Sequence, residues 1–236
     1  MSLSSLVSTL PKYQITLPVT GTKVEYRPFL VKEEKILLMA AESKDEKSMN
    51  SAIKSVVEAC TDGKVDISRL PTTDIEYLFL QLRANSIGET VKPMVKCGEC
   101  ETPNEVEINL KEIVPAFNPK HTKKIHLISD IHVQMKYPTM ADMEKIESKE
   151  DNIERALLLI VKCIDKVING ETIYSTAEMD TKEVRDFVEN LTQSQFNKLL
   201  SFVETMPILQ KEIKFTCKKC SHENDMVLKG MSSFFS

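Results

Sequence analysis

The sequence predicts an α+β protein built by internal duplication, with two hairpin–helices–knuckle halves arranged around a shared metal site. Three observations carry this reading. Two cysteine pairs, Cys97-Gly98-Glu99-Cys100 and Cys217-Lys218-Lys219-Cys220, lie 120 positions apart, each interrupting a strand-like segment. A hairpin pattern followed by amphipathic helical patterns precedes each pair, in the same order. The 236 residues are 42% hydrophobic and 28% charged, which suits a folded chain with a substantial core.

The first half opens on ITLPVTGTKVEYRPF (15–29), where apolar and polar residues alternate around Gly21-Thr22 as in a β-hairpin. The amphipathic stretch LVKEEKILLMAAES (30–43) follows. Met49, Ile53, Val56, Val57 and Cys60 then recur at helical spacing up to Gly63, where a left-handed cap is favourable. Thr73 and Glu76 form a capping-box pattern ahead of Ile75, Leu78, Phe79 and Leu82. Val95 leads into Cys97, and Val106, Ile108 and Leu110 alternate after the pair.

The second half repeats this order. IHLISDIHVQMKYPT (125–139) predicts a hairpin and MADMEKIES (140–148) an amphipathic stretch. Ile153, Leu157, Ile160, Val161 and Ile164 predict a longer helix, with Asp151 and Glu154 as its N-cap pair and Gly170 near its end. Asp180 and Glu183 start the next helix, carried by Val184, Phe187, Val188 and Leu191. Thr192 and Gln195 start an additional one, with Phe196, Leu199, Leu200 and Val203, and Pro207 stops it. Ile213 and Phe215 lead into Cys217, and Met226 and Leu228 follow the second pair.

Gly63 and Gly170 are 107 positions apart whereas the cysteine pairs are 120 apart, a difference that matches the additional helix. The seam falls in AFNPKHTKK (116–124), where Pro119 and a basic run suit a linker. The expected division is an N-terminal arm over 1–10, a first α+β repeat over 11–118 with the CGEC knuckle, and a second over 119–236 with the CKKC knuckle.

A two-residue gap lets both sulfurs of a pair face one ion, and two pairs supply the four soft ligands of a closed tetrahedral zinc site. In this reading Cys97, Cys100, Cys217 and Cys220 hold a structural zinc that clamps the halves and closes a long loop. Two other readings stay open. One pair would be a dithiol redox catalyst, although such motifs open a helix and these sit between strand patterns. Alternatively, the pairs are unliganded thiols left from a lost site. His222 is expected to face solvent, and Cys60 and Cys163 to be ordinary buried residues.

Enzymatic chemistry is thin. His121, His126 and His132 have no H-E-x-x-H or nucleophile-elbow context, and no phosphate-cradling glycine loop is present. Glu33, Glu34, Glu144 and Glu147 alternate with lysines, as solvated helix faces do. The expected protein is therefore not an enzyme. Lys211, Lys214, Lys218 and Lys219 make the second knuckle basic, whereas Glu99, Glu101 and Glu105 make the first acidic. With a net charge of -4 and few aromatics nearby, this argues against nucleic-acid binding and favours self-association or asymmetric partner contacts.

No stretch approaches the roughly 20 apolar residues that span a bilayer. MSLSSLVSTL (1–10) lacks a basic n-region, so it reads as an arm or docking segment rather than a signal peptide. Six cysteines in a chain of this length, four of them in spaced pairs, suit metal binding in a reducing compartment.

VEYRPFLVKEEKILLMAAES (24–43), following PKYQITLPVTGTK (11–23), resembles the T-even-type bacteriophage baseplate protein family, whose members include the baseplate hub assembly protein. The resemblance is most specific at Arg27-Pro28-Phe29, at Lys32-Glu33-Glu34-Lys35 and at Leu37-Leu38, and it continues through Leu70-Pro71 and the cysteine pairs. It implies a non-enzymatic hub subunit or hub assembly factor that contacts other phage baseplate hub and tail proteins. Its place would be the virion tail baseplate, or the host cytoplasm during assembly. The resemblance brings no catalytic set with it. The alternative is a zinc-ribbon regulatory protein that binds nucleic acid or transcription machinery. At the termini, Leu3, Leu6, Val7, Phe234 and Phe235 are apolar; either Phe234 and Phe235 fold back onto their own domain, or the termini order on a partner. In the second case, deleting 231–236 is expected to leave the melting temperature unchanged.

Overall fold

Alternation around Gly21 closes as the expected hairpin in the computed structural model, which describes residues 10–43, 45–148 and 151–234. Of the N-terminal arm only Leu10 is among these residues. Strand β1 (Tyr13–Thr16) pairs antiparallel with β2 (Lys23–Tyr26), and the Tyr13 and Tyr26 rings stack at 5.7 Å. The turn needs a left-handed residue, and Gly21 supplies it at φ +70°. Three helices follow, α1 (Val31–Ser43), α2 (Glu46–Cys60) and α3 (Thr72–Ser86). Asp45 caps α2 by accepting from the Ser48 N–H.

The start of α1 corrects one expectation. Glu33 is not part of a solvated face but is only 3% exposed. Its carboxylate accepts from the Leu30 N–H at 2.7 Å and from Arg27 Nη2 at 3.1 Å. Arg27 in turn donates to the Pro28 and Ala59 carbonyls. Proximity to Lys32 and Lys35 in sequence hides this, because the ion pair forms across the helix start rather than along the helix. Glu33→Ala leaves a half-buried guanidinium short of its counter-ion and is expected to cost about 2 kcal/mol in urea unfolding.

The capping box expected at Thr73 and Glu76 does not form. Pro71 occupies the N-cap of α3, and no side chain caps it. Asp74, fully buried, accepts instead from the Val19 and Thr20 N–H groups and ties the hairpin loop to α3. Glu76 turns inward toward the Met231 N–H, and burial pushes its carboxyl up to about 7. The folded chain thus holds this proton more tightly than the unfolded chain. Its stabilising effect is complete below the ordinary carboxylate range and is lost as pH rises through about 7. Glu76→Gln is expected to flatten the fall in stability between pH 4.5 and 7, which melting curves across that range would read.

Beyond α3 the chain forms short antiparallel pairs, β3 (Thr90–Val91) with β6 (Ile108–Asn109) and β4 (Met94–Lys96) with β5 (Pro103–Glu105). Strand β7 (Val114–Ala116) ends this stretch. The chain returns much later as β12 (Ile208–Thr216) and β13 (Glu223–Lys229), which complete the three-stranded sheet β13-β12-β7. Ala116 and Ile208 face each other as register partners at the point of departure and return. A core of Leu80, Ile108, Leu110, Ile113, Leu209 and Ile213 fills this unit, closed by Phe234 from a terminal 3-10 turn. Phe234 is fully buried, so at this residue the tail folds back; Phe235 lies outside the described residues.

Residues Phe117–Pro207 form a second compact unit. Its antiparallel sheet has the order β11-β10-β9-β8, from β8 (Lys124–Ile128), β9 (Ile131–Met135), β10 (Ile164–Asn169) and β11 (Thr172–Ser175). Helices α4 (Met140–Glu147), α5 (Asn152–Cys163), α6 (Thr181–Glu189) and α7 (Gln193–Glu204) accompany it. Val133, Ile160, Cys163, Leu199 and Phe202 pack at its centre.

Here a third correction falls. Helix α5 stops at Cys163, Ile164 begins β10, and Gly170 turns the β10–β11 hairpin rather than capping a helix. The stretch Ile164–Asn169 pairs on both sides, with β9 and with β11, and these two ladders outweigh one more helical turn. Asp151 caps α5 as expected, but Glu154 holds Arg185 in a two-pronged pair at 2.7 and 2.9 Å. Thr192 and Gln195 form the full capping box of α7.

The first unit comprises Met1–Ala116 and Ile208–Ser236, so the hairpin bearing Cys217 and Cys220 is built into the unit of the first knuckle. Packing boundaries thus differ from the boundaries expected for two repeats. Among the described residues, no helix is long and apolar enough to cross a membrane.

Candidate metal centre

The two knuckles share the same backbone hydrogen bonds. In the first, between β4 and β5, the Cys97 N–H donates to the Thr102 carbonyl at 3.0 Å and the Glu101 N–H to the Cys97 carbonyl at 3.0 Å. In the second, between β12 and β13, Cys217 bonds the His222 carbonyl at 2.9 Å and Ser221 returns to Cys217 at 3.0 Å. Each turn needs a left-handed residue, and Glu101 (φ +55°) and Ser221 (φ +58°) supply it without glycine. The Glu99 N–H points at Cys97 Sγ and the Lys219 N–H at Cys217 Sγ, both at 3.4 Å.

These turns bring together all four cysteines singled out by spacing. Their sulfurs lie within 4.8 Å of one another, and the group could hold a metal ion. Across the knuckles Cys97 Sγ is 3.7 Å from Cys220 Sγ, and Cys100 Sγ is 3.6 Å from Cys217 Sγ. Cys97 and Cys217 are buried, Cys100 is half-buried and Cys220 is exposed. Backbone N–H groups of Cys220 and Lys219 pull the Cys217 thiol down to about 6. The Cys97 thiol is lowered in the same way by the N–H groups of Cys100 and Glu99. Such donors favour the thiolate, the form that binds metal.

Two residues of this centre escape a reading based on cysteines alone. Asn104 and Asn224, 4% and 6% exposed, lie beneath the sulfurs. Asn104 Nδ2 donates toward Cys217 Sγ and Asn224 Nδ2 toward Cys97 Sγ, so each reaches across to the other knuckle. The available signal was spacing, since each asparagine stands four positions after the second cysteine of its own pair.

The remaining candidates lie elsewhere. His222 is exposed and outside the cluster, although its carbonyl braces the second knuckle. Cys60 and Cys163 are buried helix residues, and burial pushes their thiols up to about 11 and about 12, away from the thiolate. His126 and His132 sit side by side on strands, ring centroids 5.0 Å apart. His121 packs against both Tyr137 and Phe202 in a cluster of three rings, and burial lowers its pKa. Of the basic residues near the second knuckle, Lys211 pairs with Glu112 and Lys214 with Asp225. That leaves less free positive charge there than the sequence suggests.

A mixed helix-and-sheet frame with one convergent four-thiol group among its described residues is the class of protein this geometry defines. The family model for T4 bacteriophage base plate protein matches residues 10–236, and the chain belongs to that family. The match covers nearly the whole chain and assigns it a structural role in the phage baseplate, in a family that is generally non-enzymatic. No curated protein and no solved structure matches the chain.

Proposed function

We propose that this protein is a non-enzymatic hub subunit or hub assembly factor of the phage tail baseplate, acting through protein–protein contacts, with one structural zinc held by Cys97, Cys100, Cys217 and Cys220. The observation that carries the reading is the exposed apolar face of α1 within a baseplate family match. Val31 is 81%, Leu38 59% and Met39 61% exposed, in the same 24–43 segment that carries the resemblance. Apolar side chains so placed on a structural protein suit contacts with neighbouring subunits.

Zinc is supported by the donor set and by its size. Four thiolates select a soft or borderline ion, and a tetrahedron with metal–sulfur bonds of about 2.3 Å has edges of about 3.8 Å. The cross-knuckle separations of 3.7 and 3.6 Å fit that edge. Protein groups would fill all four positions, as in a structural site. Internal duplication, with halves at 11–118 and 119–236, is supported by the matching knuckles and by the asparagine at the same spacing in each.

Co-sedimentation with purified tail hub proteins tests the reading. Association that persists in high salt is expected. Salt-sensitive binding to DNA without hub association would overturn it in favour of a regulatory zinc ribbon.

A further inference from the structure

We infer that Asn104 and Asn224 are paired positioning residues of the metal centre, each supplied by one knuckle to aim a thiolate of the other; the inference rests on the metal reading above. A primary amide offers two N–H donors and a carbonyl acceptor. Asn104 uses all three, with Nδ2 donating to the Thr102 carbonyl at 2.7 Å and toward Cys217 Sγ at 3.7 Å, while Oδ1 accepts from the Lys218 N–H at 2.9 Å. Asn224 repeats the set. Its Nδ2 donates to the His222 carbonyl at 3.1 Å and toward Cys97 Sγ at 3.6 Å, and its Oδ1 accepts from the Gly98 N–H at 2.9 Å.

Each asparagine therefore braces its own loop with one hydrogen and grips the opposite knuckle with the other hydrogen and the oxygen. The gripped groups are a ligand sulfur and the N–H of the residue directly after that ligand. This fixes both where the sulfur sits and which way the loop faces. Both amides are buried, and a buried amide without partners costs about 1–3 kcal/mol, so the clasp forms without help from a metal. An N–H directed at a thiolate also draws off charge, which eases the crowding of four anionic sulfurs around one cation. The clasp pre-assembles the site, and the two asparagines contribute equally because their bonds are equivalent.

Cobalt(II) titration of the full-length protein, followed by its visible and sulfur-to-metal charge-transfer bands, tests this. Wild type is expected to give a tetrahedral thiolate spectrum. Asn104→Leu and Asn224→Leu should each lose about 10–100-fold in cobalt affinity, with charge-transfer bands shifted by similar amounts. Asn104→Asp keeps the acceptor for Lys218 but has no hydrogen for Cys217. It should share the affinity loss and the band shift while its Lys218 amide stays protected from hydrogen exchange. Variants that melt earlier yet keep wild-type affinity and spectrum would reduce the asparagines to loop braces and overturn the inference. Hydrogen exchange of metal-free wild type needs no variant: the Gly98 and Lys218 amides should be protected, and exchange at open-loop rates would overturn pre-assembly. A wild type that binds neither cobalt nor zinc overturns the metal reading itself, a distinct result.

Discussion

Cys217→Ser is expected to abolish metal binding and to remove the stability that binding confers on the folded protein. Elemental analysis of the wild type should find one zinc per chain, and of the variant none. Serine at neutral pH offers no anionic ligand, and Cys217 is the most buried member of the set together with Cys97. With free zinc at a thousand times its dissociation constant, binding stabilises the folded form by about 4 kcal/mol, all of which the variant forgoes. A chelator should bring wild type down toward the variant and leave the variant unmoved. Zinc retained by the variant would sink the shared site.

Phe234→Ala is expected to cost about 3–5 kcal/mol, the range for emptying a fully buried aromatic site. Its ring closes the core formed by Leu80, Ile108, Leu110, Ile113 and Leu209. Deleting 231–236 should lower the melting temperature for the same reason, so the expectation of an unchanged melt, made for a tail that orders on a partner, is replaced. A deletion protein that melts with wild type would show that Phe234 contributes nothing to the core.

Local chemistry accounts for most of what was legible in the sequence. The hairpin at Gly21, the caps at Asp151 and Thr192 and the metal-ligand spacing of the cysteines each depend on residues within a few positions of one another. Two of the misreadings share one cause, a partner far away along the chain: Glu76 meets Met231, and Ile164 joins a sheet through Met135 of β9. Glu33 differs, since Arg27 and Leu30 stand close in sequence but reach it by folding back across the helix start. Asn104 and Asn224 were hidden as Glu76 was, because their partners lie more than a hundred positions away.

The register of Ala116 against Ile208 bears on the order in which this molecule is made. Synthesis runs from the N-terminus, and domains generally fold as units while the chain emerges. Residues Phe117–Pro207 are all present before β12 begins, so the inserted unit can close early. The first unit cannot, since β12, β13, Cys217, Cys220 and Phe234 follow the inserted unit in the chain. Throughout that interval Cys97 and Cys100 stand as half of the four-thiol cluster, without Cys217 and Cys220 opposite them. Completion of the four-cysteine cluster therefore waits on synthesis of the stretch that follows the inserted unit, and a product ending before it would carry the first knuckle without its counterpart.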